Sequence, residues 1–304
     1  MSKINIVTSY INPDTDGIAC SIAMAKMLSR TGEQWFPVTF GLIGDETKFV
    51  LQNLGISKPK TLSSFVDVDQ ITLVDTHHKS QLPQDFPFEK VKTIIDHHPN
   101  GDDELFPSAT ITNEKTGAAA SIVAKSLFEQ QLIDTLMLRL LGFAILSNTL
   151  NFSAPSTTDF DRHIYAKIES ITPISEDLIN KMFEQRSAIL KEDIYTALCA
   201  DFKVFDTKSG KVGIAQIEAY NLEKLIDAPK TIPTLARIAY EKGLELCFFN
   251  GVDIKTKRSA VLAANCESAN LLCKIFKLDN YEIPQRFDRI LLRKTDFVPL
   301  LNLV

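Results

Sequence analysis

The sequence predicts an α/β protein with two domains: a larger first domain built on a parallel sheet with helices on both faces, and a smaller second α/β domain with a mixed sheet. Short apolar runs alternate with helical stretches through the first half of the chain, a pattern typical of βαβ units. Near residue 190 this rhythm changes and a hairpin pattern follows. The length of 304 residues suits one large or two medium domains.

The elements of the first domain follow from the spacing of apolar residues. Apolar runs bounded by polar residues predict strands at 4–7, 35–40, 71–74 and 93–95. Helical spacing of apolar residues predicts helices at 18–28, 45–54, 117–130 and 135–146. Pro37 has no amide hydrogen for a sheet, so it limits the second strand to a sheet edge or a strand start.

The second domain is expected after a linker helix at about 187–200, which sets the predicted domains at 1–188 and 196–304. Two apolar runs then flank a polar segment that contains Gly210, which predicts a hairpin. The predicted strands are 202–205, 212–217, 244–249 and 259–263, with a helix at 265–276 and a closing apolar run at 289–292.

Composition narrows the class of protein. No apolar run approaches the roughly 20 residues that span a bilayer, so no membrane contact is expected. The first residues lead directly into a strand without a signal-peptide pattern, so a cytoplasmic location is expected. The five cysteines show no CxxC spacing, which disfavours a zinc or disulfide framework.

Charge is distributed unevenly along the chain. The formal net charge of −5 argues against nucleic acid as a partner. Residues 1–190 carry 16 basic and 23 acidic residues, a net −7, while residues 191–304 carry 17 and 15, a net +2. An acidic first half could hold metal and a basic second half an anionic substrate; a chance asymmetry of solvated surfaces explains the difference equally well.

The histidines are the most informative residues. Only five exist, and four form two adjacent pairs, in Asp75-Thr76-His77-His78 and Asp96-His97-His98. Each pair follows a predicted strand, as does the upstream cluster Asn12-Pro13-Asp14-Thr15-Asp16. Open α/β sheets place ligands at the carboxyl ends of their strands, so these groups are expected to meet there. Asp and His without paired Cys are ligands for Mn²⁺, Fe²⁺ and similar ions.

Each cluster taken alone has a structural explanation. Asp16 could cap a helix while Asp14 occupies a turn, and Asp75 could be a cap rather than a ligand that bridges two cations. Adjacent histidines point in different directions. One is therefore expected to bind metal and the other to contact phosphate or donate a proton. Only the joint occurrence of the three clusters favours a metal site.

These motifs resemble the DHH phosphoesterase superfamily. The resemblance rests on segments 12–16, 74–75 and 96–98, and the segment 142–150 is similar to the fourth motif of that superfamily. The tail 293–301 resembles the second domain of the manganese-dependent (family II) inorganic pyrophosphatases. The Gly-Gly-Gly-His motif of the other major second domain is absent from the sequence.

The resemblance implies a role for each matching residue. It implies two divalent ions, Mn²⁺ or else Co²⁺ or Mg²⁺, with a single ion as the alternative. Asp14 and Asp75 would hold one ion, and Asp16, Asp75 and His97 the other, with Asn148 as a weaker ligand. The groups expected to face the phosphates, once the second domain closes over the first, are His98, Lys203, Arg293 and Lys294.

Two positions depart from the family pattern. Tyr10 stands where the family has a histidine, and Asn148 stands where it has an aspartate. Tyrosine is a poor ligand unless it ionises, and its unperturbed pKa is about 10. Asn148 can coordinate through its carbonyl oxygen but adds no charge. We therefore expect weaker divalent binding, for which His77 or His78 could compensate.

The sequence as a whole predicts a metal-dependent phosphohydrolase that acts on pyrophosphate or a related phosphoanhydride, as exopolyphosphatases do. The alternative is a degenerate, non-catalytic relative that binds phosphate, a nucleotide or a protein partner. A nucleic-acid exonuclease is disfavoured by the acidic first half and the absent glycine-rich motif. A homodimer through the first domain is implied by family analogy alone.

Overall fold

In the computed structural model, which describes residues 4–187, 192–220, 222, 226 and 231–303, the chain forms two units, Met1–Met182 and Phe183–Val304. The first unit contains a six-stranded sheet whose strand pairs are all parallel. Its strands are β1 (Ile4–Thr8), β2 (Trp35–Thr39), β3 (Lys60–Thr61), β4 (Val68–Val74), β5 (Val91–Asp96) and β6 (Thr110–Asn113), in the order β3-β2-β1-β4-β5-β6.

The helices alternate with these strands. They are α1 (Thr15–Leu28), α2 (Asp45–Asn53), α3 (Ala119–Glu129), α4 (Thr135–Asn148), α5 (Asp159–Ile171) and α6 (Glu176–Arg186). The predicted parallel α/β fold is confirmed. The sequence prediction did not include β3, β6, α5 and α6.

The two faces of this sheet are covered differently. Helices α1, α3 and α4 pack together, and α1 lies on β1 and β2. The other face carries a cluster that includes Ile6, Ile71 and Ile94 from the strands and Phe86 and Phe106 from loops. In the described residues, this face is covered by loops with short 3-10 turns, and two of these turns contribute side chains to the cluster. The sheet is therefore buried on both sides, as its apolar strands require.

Pro37 is the third residue of β2, which is an inner strand of the sheet, so the predicted limit to a sheet edge or a strand start is wrong. Pro37 is paired with Val7 of β1 on one side, while β3 pairs only with Val38 and Thr39 on the other. Because the short strand β3 does not reach Pro37, the proline has a partner strand on one side only, which is the kind of position that proline tolerates in a sheet.

The second unit is built on a five-stranded mixed sheet in the order β11-β10-β9-β8-β7, in which only β8 and β9 are parallel. Its strands are β7 (Phe202–Thr207), β8 (Gly210–Ala219), β9 (Leu246–Asp253), β10 (Arg258–Ala263) and β11 (Gln285–Phe287). The predicted hairpin is the antiparallel pair β7–β8. Its helices are α7 (Ile194–Ala200), α8 (Thr231–Glu241), α9 (Cys266–Phe276) and α10 (Val298–Leu301).

Helices cover both faces of this second sheet. Leu235 and Ile238 of α8 belong to one apolar cluster, and Leu272 and Ile275 of α9 belong to the other. Strands β8 and β9 contribute side chains to both clusters, because successive side chains of a strand point to opposite faces of the sheet.

The predicted linker helix at 187–200 is shorter than expected. Helix α7 begins only at Ile194, because the Asp193 side chain accepts a hydrogen bond from the Thr196 amide and caps the helix there. Residues 188–191 of the predicted helix lie outside the described residues. The domain limits 1–188 and 196–304 stay a prediction. None of the helices in the described part of the chain is both long and apolar enough to cross a bilayer.

Candidate metal centre

The three acidic and histidine clusters follow adjacent parallel strands. Strands β1, β4 and β5 are neighbours in the sheet. Asp14 and Asp16 come after β1, Asp75 follows β4 directly, and His97 follows β5 directly. The carboxyl ends of parallel strands meet at one edge, so the strand order explains why residues far apart in sequence converge.

Asp75 and His97 form the core of the site. The Oδ1 atom of Asp75 lies 3.2 Å from Nε2 of His97. Both atoms are buried, and neither has a hydrogen-bond partner among the described residues, so the contact lacks the alignment of a hydrogen bond. Cis ligands at about 2.1 Å from an octahedral cation lie about 3 Å apart. The pair therefore has the separation and chemistry of two ligands of one divalent ion.

The tautomer of His97 supports this interpretation. Its Nδ1 lies 2.8 Å from the carbonyl oxygen of Thr116, which can only accept a hydrogen bond. Nδ1 therefore carries the proton, and in the neutral ring Nε2 presents a lone pair to Asp75. A second bond that fixes the ring in this way is usual for metal-bound histidines.

Asp75 is held in an uncommon backbone conformation. Its φ of 60° lies in the left-handed region, which residues other than glycine rarely adopt. Its amide donates to the carbonyl of Ile95 at 2.8 Å, which ties the end of β4 to β5. Such conformations cluster at functional sites, where the surrounding structure holds them in place.

The electrostatics of the site favour a cation. Burial, and then the nearby Asp14 charge, raise the pKa of Asp16 to about 7. Burial and the Asp16 charge also raise the pKa of Asp75 well above its ordinary value. Burial disfavours the charge on His97, but contact with Asp75 and the charge of Asp16 raise its pKa to about 10. The buried carboxylates thus require a positive partner, which is the protonated His97 ring as long as no cation is bound.

Asp14, and not Asp16, caps helix α1. One oxygen of Asp14 accepts the amides of Asp16 at 2.8 Å and Gly17 at 3.1 Å. The alternative in which Asp16 is the cap is wrong, because Asp16 lies inside the first turn and its side chain points to another element. Asp14 is half-buried, and its charge acts on both Asp16 and Asp75.

Asp16 is surrounded by hydrogen-bond donors. Its carboxylate accepts the amides of Ala119 and Ala120 at the start of α3, each at 2.8 Å. It also accepts the Cys20 thiol at 3.5 Å and the side-chain amide of Asn148 at 3.1 Å. These four donors match the roughly four lone-pair positions of a carboxylate.

Asn148 faces Asp16 with its nitrogen. The Nδ2 atom donates to Asp16 and, at 2.9 Å, to the carbonyl of Gly117. The Gly117 carbonyl can only accept, so the nitrogen of the Asn148 amide is the atom that faces it. Coordination through the Asn148 carbonyl oxygen, expected from the sequence, stays a prediction.

Tyr10 also takes a structural role. Its hydroxyl accepts a hydrogen bond from the Asp14 amide at 3.1 Å. Burial and the charges of Asp14 and Asp75 raise its pKa well above the ordinary value, so the phenol stays neutral. A neutral phenol does not replace the nitrogen ligand of a histidine.

Asp96 organises the histidine pair and is not directed at the metal position. It accepts the His97 amide at 2.7 Å and the His98 Nδ1 at 2.9 Å, and a short hydrogen bond joins it to His77 Nδ1. Although burial opposes its charge, the bonds from His98 and His77 lower the pKa of Asp96 to about 2.

The remaining histidines differ in what they offer. Asp75, His97 and His98 are the one group of described residues whose candidate ligand atoms lie within 4.8 Å of one another. The His98 atom that faces Asp75, at 3.9 Å, is the Nδ1 already bonded to Asp96, so Nε2 is its remaining nitrogen. His77 contacts Asp96 and Asp103 with its two nitrogens, so the hypothesis that it replaces a missing ligand is wrong. The same hypothesis for His78 stays a prediction.

Two buried carboxylates that support the site were not predicted. Glu46 accepts the hydroxyl of Thr15 at 3.0 Å and forms a short hydrogen bond with Ser147, which joins the first motif to the fourth. Asp161 holds the loop at Thr116 and Gly117, whose carbonyls bind His97 and Asn148. Neither residue lies in a histidine cluster, so the sequence gives no signal of its role.

The basic residues of the second unit gather around Asp201. The Arg293 side chain is buried, and its terminal nitrogens contact both Asp201 carboxylate oxygens at 2.9 Å and two carbonyls. Arg293 begins a π-helical turn that runs to Phe297. Lys203 and Lys294 are exposed. Although the Lys294 side chain as a whole is exposed, partial burial of its ammonium group, followed by the charges of Lys203 and Arg293, lowers its pKa.

The fold and this site define a class, that of α/β proteins with a cluster of candidate divalent-metal ligands at the carboxyl edge of a parallel sheet. Two family models match most of the chain: the DHH family N-terminal domain at residues 3–145 and the DHHA2 domain at residues 180–304. The chain belongs to the DHH family of phosphoesterases and carries a DHHA2 second domain.

Relatives of known name match over nearly the whole chain. Proteins named as probable manganese-dependent inorganic pyrophosphatases are 27% identical in Clostridium acetobutylicum and 28% identical in Bacillus cereus, covering 99% of this chain and 98% of each relative. A Methanococcus jannaschii structure, provisionally assigned as a family II inorganic pyrophosphatase, matches with a TM-score of 0.75, 28% identity and 98% coverage of both chains. An exopolyphosphatase-related protein from Bacteroides fragilis, with a TM-score of 0.53, 14% identity, and coverage of 94% and 86%, shares the fold.

Proposed function

We propose that this protein is a divalent-metal-dependent phosphohydrolase that cleaves pyrophosphate or a related phosphoanhydride, with Mn²⁺ as its ion. The observation that carries the proposal is the pair of buried, unpartnered atoms, Asp75 Oδ1 and His97 Nε2, at a distance of 3.2 Å. The full-length relatives named as manganese-dependent pyrophosphatases supply the substrate class and the ion. They favour hydrolysis over the non-catalytic alternative.

Asp75 and His97 hold the cation in this proposal. A bound divalent cation acidifies water and offsets negative charge on the oxygens of a phosphoryl group. Asp14 and Asp16 add negative charge beside the cation, as their effects on the pKa of neighbouring groups indicate. Thr116 fixes the ring of His97 through its carbonyl, so the ligand nitrogen stays aligned without a metal.

His98 contacts the phosphate and delivers a proton to the leaving group. Its Nδ1 is bonded to Asp96, which fixes the ring and reserves Nε2 for substrate. A histidine whose ring is fixed by a carboxylate in this way is positioned for general acid catalysis.

Lys203 and Lys294 bind the anionic substrate. Their charges are close enough that Lys203 helps to lower the pKa of Lys294, a repulsion that a bound phosphate relieves. Arg293 is engaged with Asp201, so we assign it to holding this basic group in place. Its direct contact with phosphate, implied by the family resemblance, stays a prediction.

The test is phosphate release from pyrophosphate by the purified protein with Mn²⁺, Co²⁺ or Mg²⁺, beside tripolyphosphate and a cyclic dinucleotide. We expect turnover of the anhydrides that is fastest with Mn²⁺ and is lost when EDTA removes the metal. Asp75→Asn and His97→Gln should each reduce turnover by more than about 100-fold, since even partners of metal ligands contribute 10–100-fold.

Asp85→Asn is the matched control, because this substitution removes the same charge from an exposed carboxylate at a distance from the site. Wild-type protein that binds Mn²⁺ yet cleaves none of these substrates would refute the hydrolase. Equal activity of Asp75→Asn and Asp85→Asn would refute the metal centre. The cytoplasmic location and the homodimer predicted from the sequence and its resemblance stay predictions.

A further inference from the structure

The donors around Asp16 bear on how many ions the centre holds. Each oxygen of the carboxylate accepts one backbone amide and one side-chain donor, Cys20 for Oδ1 and Asn148 for Oδ2. A carboxylate whose acceptor positions are filled by protein donors has none left to direct at a cation. By contrast, Oδ1 of Asp75 accepts no aligned hydrogen bond from the described residues and lies 3.2 Å from Nε2 of His97.

Asn148 donates a hydrogen bond to Asp16 at a position where a cation would otherwise be its partner. Its amide hydrogens point to Asp16 and to the Gly117 carbonyl, and the amide is anchored because Ser147, the preceding residue, bonds to Glu46. An aspartate at position 148 would place a second carboxylate against Asp16. Two buried carboxylates in contact repel each other and require a cation or a shared proton. The amide removes that requirement.

Tyr10 is likewise engaged by a protein group. Its hydroxyl accepts a hydrogen bond from the Asp14 amide, and the side chain offers no nitrogen ligand. Among the described residues, the buried carboxylate and imidazole atoms left without a hydrogen-bond partner are Asp75 Oδ1 and His97 Nε2, which is one pair.

We infer that this protein binds a single divalent cation, at Asp75 and His97, and that Asn148 and Tyr10 set this number by taking the places where a second cation would be held. The inference rests on the metal centre of the proposed function. According to this inference, the side chains at positions 10 and 148 decide that the enzyme is mononuclear.

The test is a count of bound Mn²⁺ per chain, by isothermal titration and by elemental analysis after gel filtration, with electron paramagnetic resonance of the bound ion. We expect one Mn²⁺ per wild-type chain and the signal of an isolated ion. The double variant Tyr10→His/Asn148→Asp should bind two Mn²⁺ and show the exchange-coupled signal of a close pair. Asn151→Asp adds the same charge nearby without the contact to Asp16, so it should still bind one.

Two ions per wild-type chain, or a coupled signal from it, would overturn the inference while leaving the proposed hydrolase intact. A folded double variant that still binds one ion would overturn the role of Asn148 and Tyr10. Absence of any bound Mn²⁺ would overturn the metal centre itself, so the two failures are distinct. If the double variant does not fold, the wild-type count and its resonance signal decide the question alone.

Discussion

Asp161 offers the sharpest test of how the site is supported. This fully buried carboxylate accepts five hydrogen bonds. Its Oδ2 receives the amides of Gly117 and Thr158, each at 2.8 Å, and the Thr158 hydroxyl at 2.7 Å. Its Oδ1 receives the hydroxyls of Ser121, at 2.6 Å, and Thr116. The two oxygens therefore differ, because hydroxyls can also accept a hydrogen bond while backbone amides can only donate.

This difference predicts a graded response to substitution. In Asp161→Asn, the new carbonyl oxygen can take the two amides while the new NH₂ group donates to hydroxyls that rotate. The loss is then limited to charge assistance, about 1–2 kcal/mol of unfolding free energy. In Asp161→Ala the two backbone amides lose their partner, at about 1–3 kcal/mol each, so we expect a loss of about 4 kcal/mol.

Urea unfolding followed by tryptophan fluorescence measures this loss of stability in the first unit, to which Asp161 belongs. The chain has one tryptophan, Trp35, and it lies in β2 of the first unit. Asp159→Asn is the matched control, since this exposed neighbour has the same charge and stands in the same helical turn. An asparagine variant as unstable as the alanine variant would refute the assignment of donors to the two oxygens.

The pH dependence of the same variants has a definite sign. Burial opposes the charge of Asp161, but bonds from Ser121, Thr116 and Thr158 outweigh it and lower its pKa below the ordinary 3.8. A group with a lowered folded pKa stabilises the protein above its ordinary pKa, and this contribution is lost as the pH falls through the folded value. The difference between wild type and Asp161→Asn should therefore be full at pH 7 and shrink below about pH 4.

Two further substitutions test the surroundings of the site. In Gly101→Ala the new Cβ would overlap Nε2 of His77, so the ring must shift away from Asp96. We therefore expect kcat/KM for pyrophosphate to fall about 10–100-fold in a steady-state phosphate assay. The control Gly44→Ala should match wild type, because no atom lies within 4 Å of its new Cβ. Arg293→Lys loses the paired contacts with Asp201, and we expect it to lower the unfolding free energy of the second unit by about 3 kcal/mol. The loss should be seen as faster amide hydrogen exchange in β7 and β8. Unchanged exchange in this variant, or the same acceleration in the control Lys294→Gln, would contradict the structural role of Arg293.

Elements with a strong apolar pattern were predictable, and elements without one were not. Strands β1, β4 and β5 are buried on both faces and read as continuous apolar runs, so their positions were evident. Strand β3 has two exposed residues, Lys60 and Thr61, and β6 has the sequence Thr-Ile-Thr-Asn, so neither has a run to detect. Their pairing depends on neighbouring strands that already exist.

The candidate site divides in the same way. Asp75 and His97 were predictable because they follow apolar strands, and the sheet brings such positions together. The supporting carboxylates, Glu46 and Asp161, stand alone in the sequence. Asp161 lies 44 residues from the Gly117 amide that it binds, so no local pattern marks it.

The amino-acid sequence by itself determined the α/β class, the family and the residue types gathered at one sheet edge, because burial periodicity and motif spacing are local properties of the chain. Only the tertiary structure decided which of those atoms are free to bind a ligand. Asp16 and Arg293 have the chemistry of a metal ligand and a phosphate ligand, yet both are engaged by protein groups. Asp16 is bonded to amides 103 and 104 residues away, and Arg293 to a carboxylate 92 residues away. A lone pair or a donor is available only when no other group fills it, and that depends on contacts between distant segments.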